Sequence, residues 1–261
     1  MSLAIIHSRA RLGIDAPAVS VEVHLANGMP SLTLVGLPET AVRESKDRVR
    51  SALQNAQLEF PGSRRITISL APADLPKEGG RFDLAIALGL LAASGQIPAA
   101  ALQDCECIGE LALSGELRPV QGVLPVALAC REAGRRLILP RANATEAALV
   151  DGVELIAADH LLALCAHLRG EETLPPLPAA TPPTPPAVAE LAEVQGQEQA
   201  KRALIVAATG GHNLLLFGPP GTGKTLLASR LPGILPPLRE QEALEVAAIQ
   251  SVCERTPLQA W

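Results

Sequence analysis

The sequence predicts an α/β protein built as two units joined by a proline-rich hinge. Three observations predict this. Hydrophobic residues make up 48% of the 261 residues but aromatics only 2%, with no Tyr. The core must therefore come from Leu, Val, Ile and Ala, a composition suited to helices packed on an aliphatic sheet. Short apolar runs alternate with longer helical patterns up to about Gly170. The run TLPPLPAATPPTPP, from Thr173 to Pro186, then breaks the pattern. Proline fixes φ, removes a backbone donor and drives its neighbour extended, so this run reads as a semi-rigid spacer between separately packed units.

In chain order, Val19–Ala26 and Ser31–Val35 read as strands, with Asn27-Gly28 as a hairpin turn between them. Glu39–Gln57 reads as one long helix whose apolar face carries Val42, Val49, Leu53 and Ala56. Ile66–Leu70 is a buried-type strand, and Asp83–Ala93 a nearly all-apolar helix that belongs in the core. Glu106–Leu113 reads as a strand followed by a Ser114-Gly115 turn. Val123–Glu132 reads as a helix with Pro125 in its first turn. A strand over Leu137–Leu139, a short helix from Thr145, a strand over Val153–Ile156 and a helix near His160–Leu168 complete the first unit. Beyond the hinge the pattern is a helix over Glu190–Thr209, a short strand over His212–Phe217, helices over Lys224–Leu231 and Glu240–Gln250, and an irregular tail, Cys253–Trp261.

The formal net charge of −5 excludes a surface basic throughout, although it allows a local basic ring or pore. The five cysteines, Cys105, Cys107, Cys130, Cys165 and Cys253, include no CxxC pair and no zinc-ligand spacing, so they read as small buried hydrophobes of a reducing compartment. The N-terminus has no signal-peptide layout, and no apolar run reaches membrane-spanning length. These features lead us to expect a cytoplasmic protein without a membrane partner.

Gly218-Pro219-Pro220-Gly221-Thr222-Gly223-Lys224-Thr225 satisfies GxxxxGK[ST], with a predicted strand before it and a predicted helix after. Glycines let such a loop fold into a nest of inward-pointing backbone N–H groups, a cradle for phosphate oxygens. Lys224 is placed to reach the β- and γ-phosphates of ATP, and the Thr225 hydroxyl to bind Mg²⁺. The bare pattern fixes four of its eight positions; the flanking strand and helix carry the rest of its specificity.

The strings VQGQEQAKRAL (194–204) and GHNLLL (211–216), followed by this loop, resemble the start of the AAA+ module in magnesium-chelatase-like ATPases of the YifB/ComM branch. GLPETAVRES (36–45), APADLPKEG (71–79) and GELALSG (109–115) extend the resemblance through the first unit. The resemblance implies a ribosomal protein S5 domain 2-like (Lon-like) domain over 1–170, a Pro-rich linker over 171–189, and the N-terminal part of a P-loop AAA+ domain over 190–261. It also implies a hexameric motor acting on branched or single-stranded DNA in recombination and natural transformation. By the same analogy Val194 and Gly196 lie on the base side of the nucleotide, with plain packing an equal reading of Val194. Arg43, Lys46, Arg50, Arg64 and Arg65 are candidates to face DNA, against an equal reading as a solvated face.

Kinship with Lon raises serine–lysine proteolysis, but alignment puts Arg81 where the nucleophilic serine would stand and Leu124 where the lysine would stand. Without a hydroxyl and an amine no acyl-enzyme forms. The stretch from Leu231 to Trp261 shows no strand ending in paired carboxylates, no sensor and no arginine finger. The chain therefore reads as the front part of a AAA+ ATPase that does not by itself turn over ATP at a useful rate. Two alternatives stand beside this: a metal-chelatase motor subunit, and a truncated product in which only the first unit folds.

Overall fold

The computed structural model describes residues 2–36, 39–175, 177 and 189–253. The chain divides into two compact units, Met1–Pro182 together with Leu244–Trp261, and Pro183–Ala243. Leu37, Pro38, most of the proline run and the tail beyond Cys253 lie outside the described residues.

The first unit is a mixed α/β fold. Its strands are β1 (Ser2–Arg9), β2 (Ala18–Ala26), β3 (Ser31–Val35), β4 (Arg65–Ala71), β5 (Cys105–Cys107), β6 (Glu110–Leu111), β7 (Leu117–Arg118), β8 (Arg136–Pro140) and β9 (Leu155–Ala158). Seven of them form one sheet in the order β3-β4-β2-β1-β5-β8-β9, and β6 and β7 form a separate small hairpin. β1 and β4 each pair antiparallel with β2, whereas β3–β4, β1–β5, β5–β8 and β8–β9 are parallel. In β2 the alternation is strict: Val19, Val21, Val23 and Leu25 are buried, and Ser20, Glu22 and His24 are less so. That is the period-two pattern of a strand with one face on the core.

The helices of this unit are α1 (Thr40–Arg43), α2 (Ser45–Asn55), α3 (Asp83–Ala93), α4 (Val123–Glu132), α5 (Ala144–Ala147) and α6 (Leu161–Leu168). α3 is the central helix, with Leu84, Ala85, Ile86, Ala87, Leu88, Leu90 and Leu91 buried. A Cβ at Gly89 would lie 2.6 Å from the Val23 side chain, so glycine sets how closely α3 rides on β2. A second apolar cluster joins Val123, Leu124, Val126 and Ala127 of α4 to Leu137 and Leu139 of β8.

Several predicted elements are corrected. β2 and β3 are not a hairpin, because β4 lies between them. Spanning an intervening strand takes ~10 Å, which the four-residue Asn27–Pro30 connection can reach. The long helix over Glu39–Gln57 is broken at Glu44 into α1 and α2, although Val42, Val49, Leu53 and Ala56 are buried as expected. The strand over Glu106–Leu113 is interrupted at Ile108–Gly109, where the chain leaves the large sheet for the β6–β7 hairpin. The first residues of the expected linker pack on the first unit: the Pro175 carbonyl accepts a hydrogen bond from Arg141 (2.9 Å), and Leu174 lies against the core.

The second unit carries α7 (Glu198–Gly210), α8 (Lys224–Ala228) and the first residues of α9 (Glu240–Cys253). The single helix expected over Glu190–Thr209 is instead a 3-10 turn, Leu191–Glu193, then α7, separated by a bend in which Gly196 and Gln197 adopt positive φ. Leu191, Val194, Leu204 and Leu227 form the small core. His212–Phe217 is not a strand. It has no ladder partner among the described residues, and Leu215 and Phe217 are more than 80% exposed.

Candidate functional site

The site begins with backbone conformation. Gly218, Gly221 and Gly223 adopt φ of 146°, 81° and 79°, values open to glycine and strained for other residues. These three positions bend residues 218–223 back on themselves after Phe217 and deliver the chain into α8. The Thr222 hydroxyl donates to the Pro219 carbonyl at 3.0 Å and closes the loop from within. Lys224, the first residue of α8, folds its ammonium over the same loop and donates to the carbonyls of Gly218 (2.9 Å) and Pro219 (2.7 Å). Gly218, Pro219, Pro220, Gly221, Thr222 and Thr225 are exposed, so the loop is open to solvent. The α8 segment has five residues, and its dipole is correspondingly weak.

One participant carried no signal in the motif. The Gln197 side chain donates from Nε2 to the Thr222 carbonyl at 3.2 Å, and the same nitrogen would lie 2.9 Å from a Cβ at Gly223. Gln197 itself adopts φ 58°, in the bend that starts α7. This contact brings the segment carrying Val194 and Gly196 to the loop. The Val194 side chain is 2% exposed within the small core, so its observed role is packing. Gly196 is exposed. An ion pair between Arg230 and Glu193 (3.1 Å) ties the turn after α8 to the turn before α7.

The remaining candidates lie in the first unit. Arg81 is 7% exposed; it donates to the Gln121 carbonyl, and burial together with the neighbouring Arg11 charge lowers its pKa to about 10. Leu124 is fully buried in the second apolar cluster. Lys46, Arg50 and Arg64 line one cleft, whereas Arg43 and Arg65 are not among its lining residues. Among the described residues no group of three or more His, Cys, Asp or Glu side chains could hold a metal ion, and no helix is long and apolar enough to cross a membrane.

The comparisons with known proteins bear on both units. Residues 21–143 match the family model described as subunit ChlI of Mg-chelatase, and residues 190–260 match that of magnesium chelatase, subunit ChlI. YifB of Salmonella typhimurium is 55% identical over 259 residues, covering 99% of this chain and 51% of that protein. The chain belongs to the magnesium-chelatase ChlI family. Within that family, the competence protein ComM of Haemophilus influenzae is 52% identical over 97% of this chain and 51% of its own length. The chain thus spans about half the length of the curated relatives it matches. A more distant similarity is to Lon: Lon protease 2 of Bacillus subtilis is 27% identical over 154 residues, 53% of this chain and 27% of that protein.

Proposed function

We propose that this ChlI-family chain binds ATP through Gly218–Thr225, as the nucleotide-holding part of a AAA+ ATPase of YifB/ComM type. The supporting observation is the loop itself: three positive-φ glycines followed by a lysine whose ammonium lies over the loop. A triphosphate offers that ammonium stronger, charged acceptors than two carbonyl oxygens. On this reading Lys224 leaves Gly218 and Pro219 for the β- and γ-phosphates, while the N–H groups of residues 221–225 surround them. Gln197 keeps the loop against the start of α7, and the exposed backbone at Gly196 is the base-side contact; Val194 supports it from the core.

The residues fit the nucleotide more fully than the metal. Thr225 supplies one exposed hydroxyl, so Mg²⁺ would be held chiefly by the phosphates, the usual arrangement for this ion. Mg²⁺ would supply charge neutralisation there. The sequence from Leu231 to Trp261 offers no strand ending in paired carboxylates to orient an attacking water, so hydrolysis is not assigned to this chain alone.

The domain reading that goes with this proposal is a Lon-like, S5 domain 2-like unit over 1–170, a linker over 171–189 and the front of a P-loop domain over 190–261. With Arg81 and Leu124 at the two catalytic positions of the Lon alignment, the first unit is proposed to be non-proteolytic. Assembly as a hexamer and action on DNA belong to the same proposal. They rest on the likeness to ComM, whose name marks it as a competence protein.

The test is a titration with a fluorescent ATP analogue. Losing one charge-assisted contact of about 1.5–3 kcal/mol makes Lys224→Ala bind roughly 10- to 100-fold more weakly. Equal affinity of wild type and Lys224→Ala, both folded, would overturn the assignment.

A further inference from the structure

The first unit contains a basic cleft, built between the start of β3 and the start of β4. A cleft of about 290 Å³ is lined by Lys46, Asp47 and Arg50 of α2, Phe60, Gly62 and Arg64 of the α2–β4 loop, and the start of β3 with Ile66 of β4. Lys46 and Arg50 are four residues apart and so share one helix face. The loop is tightly folded: Gly62 N–H donates to the Phe60 carbonyl (2.7 Å), Arg64 N–H donates to that of Pro61 (3.1 Å), and a Cβ at Gly62 would press on the Phe60 ring at 3.2 Å. The Arg50 guanidinium stands 5.5 Å from the centre of that ring, which holds it in place by a cation–π contact.

Three cations and one carboxylate therefore share a small cleft in a protein of net charge −5. Several other basic side chains of this unit are paired with acids, as in Arg9–Glu106, Arg48–Asp83 and Arg141–Asp159. Lys46, Arg50 and Arg64 make no ion pair among the described residues. A local positive surplus, held by a fixed turn and an aromatic ring, is matched by a phosphodiester backbone.

We propose that this cleft, on α2 and the α2–β4 loop, binds the backbone phosphates of nucleic acid, with Lys46 and Arg64 as the phosphate contacts and Arg50 as a cation positioned by Phe60. The proposal gives the DNA-directed reading above a location, and it does not depend on the phosphate loop.

The test measures fluorescence anisotropy of labelled single-stranded and duplex oligonucleotides with the full chain, over a salt series. Each lost phosphate contact lowers the slope of log affinity against log salt by about 0.7–0.9. K46Q/R64Q is expected to bind roughly 10- to 100-fold more weakly with a slope smaller by about 1.5. R118Q, at an exposed arginine outside the cleft, is expected to bind oligonucleotide like wild type. Millimolar ATP distinguishes a free polyphosphate from the polymer: little displacement supports a site for the backbone. Full displacement by ATP, or unchanged affinity and slope in a K46Q/R64Q protein that melts like wild type, would overturn the proposal. If K224A alone lost oligonucleotide binding, the cleft would be rejected while the nucleotide assignment survived. Absence of any wild-type binding would also reject the cleft.

Discussion

Glu106 is 1% exposed, yet it sits among charges. Arg9 grips it twice, at 2.5 and 2.8 Å, Arg135 approaches to 3.5 Å, and the Cys130 thiol lies at 3.2 Å. Because Arg9 is itself largely buried, removing the carboxylate charge leaves a cation without compensation in the interior. Glu106→Gln is therefore expected to lower stability by about 3–5 kcal/mol, read from urea unfolding at neutral pH; a change below about 0.5 kcal/mol, the level of an ordinary surface site, would contradict this. The sequence hinted at little of this, since local spacing does not name the charge partners of Glu106. Only pairing β1 with β5 and β5 with β8 brings Arg9 and Arg135 to it. The glycine-rich loop over 218–225 is the opposite case. Its glycines and Lys224 were legible from spacing alone, because the loop closes within eight consecutive residues. Gln197 was not legible, since its contact with Thr222 spans 25 positions.

At the scale of elements, the docking of α9 shows how one buried hydroxyl can anchor a helix. From Leu244 onward α9 belongs to the first unit, and Leu244, Ala247 and Ala248 pack into the second apolar cluster. The Ser251 hydroxyl accepts from Leu124 N–H (3.3 Å) and donates to the Glu146 carboxylate of α5, while the Ser251 carbonyl accepts from Gly122 N–H (3.1 Å). Burial raises the Glu146 pKa above its ordinary 4.5, with the Ser251 bond opposing the shift. The sign follows from linkage. A carboxyl whose folded pKa is raised binds its proton more tightly in the folded protein, so its contribution is greatest below pH 4.5 and is lost as pH rises through the folded value. The stability of wild type relative to Glu146→Gln is accordingly expected to fall as pH rises above 4.5, measured by chemical denaturation over a pH series; a difference that grew with pH would sink the account. The helix over Glu240–Gln250 was legible as a helix, but its place on α4 and α5 was not. Docking depends on which distant surface it meets.

At the scale of the molecule, the two units differ sharply in how much core they hold. The first buries two extended apolar clusters around α3 and α4, whereas among the described residues the second has a small cluster of Leu191, Val194, Leu204 and Leu227 at its centre. Hydrogen exchange should therefore be slow in β1, β2, β4 and α3 and fast in α7 and α8, and Mg·ATP should slow the latter selectively. At 100 times its Kd the ligand adds about 2.7 kcal/mol to the unit that binds it. Uniform protection of both units, or none, would contradict the proposed location of the nucleotide.

The sequence by itself determined the α/β class, the alternation along β2, the apolar length of α3 and the glycine-lysine pattern of the loop, because each is encoded by the spacing of near neighbours. It also supported the family, since strings such as VQGQEQAKRAL and APADLPKEG are long enough to be specific. Only the tertiary structure decided that β4 separates β2 from β3, that His212–Phe217 lacks a ladder, and that Lys46, Arg50 and Arg64 meet at one cleft. Strand neighbours and charge partners are chosen by contacts between distant parts of the chain, and local periodicity carries no record of them.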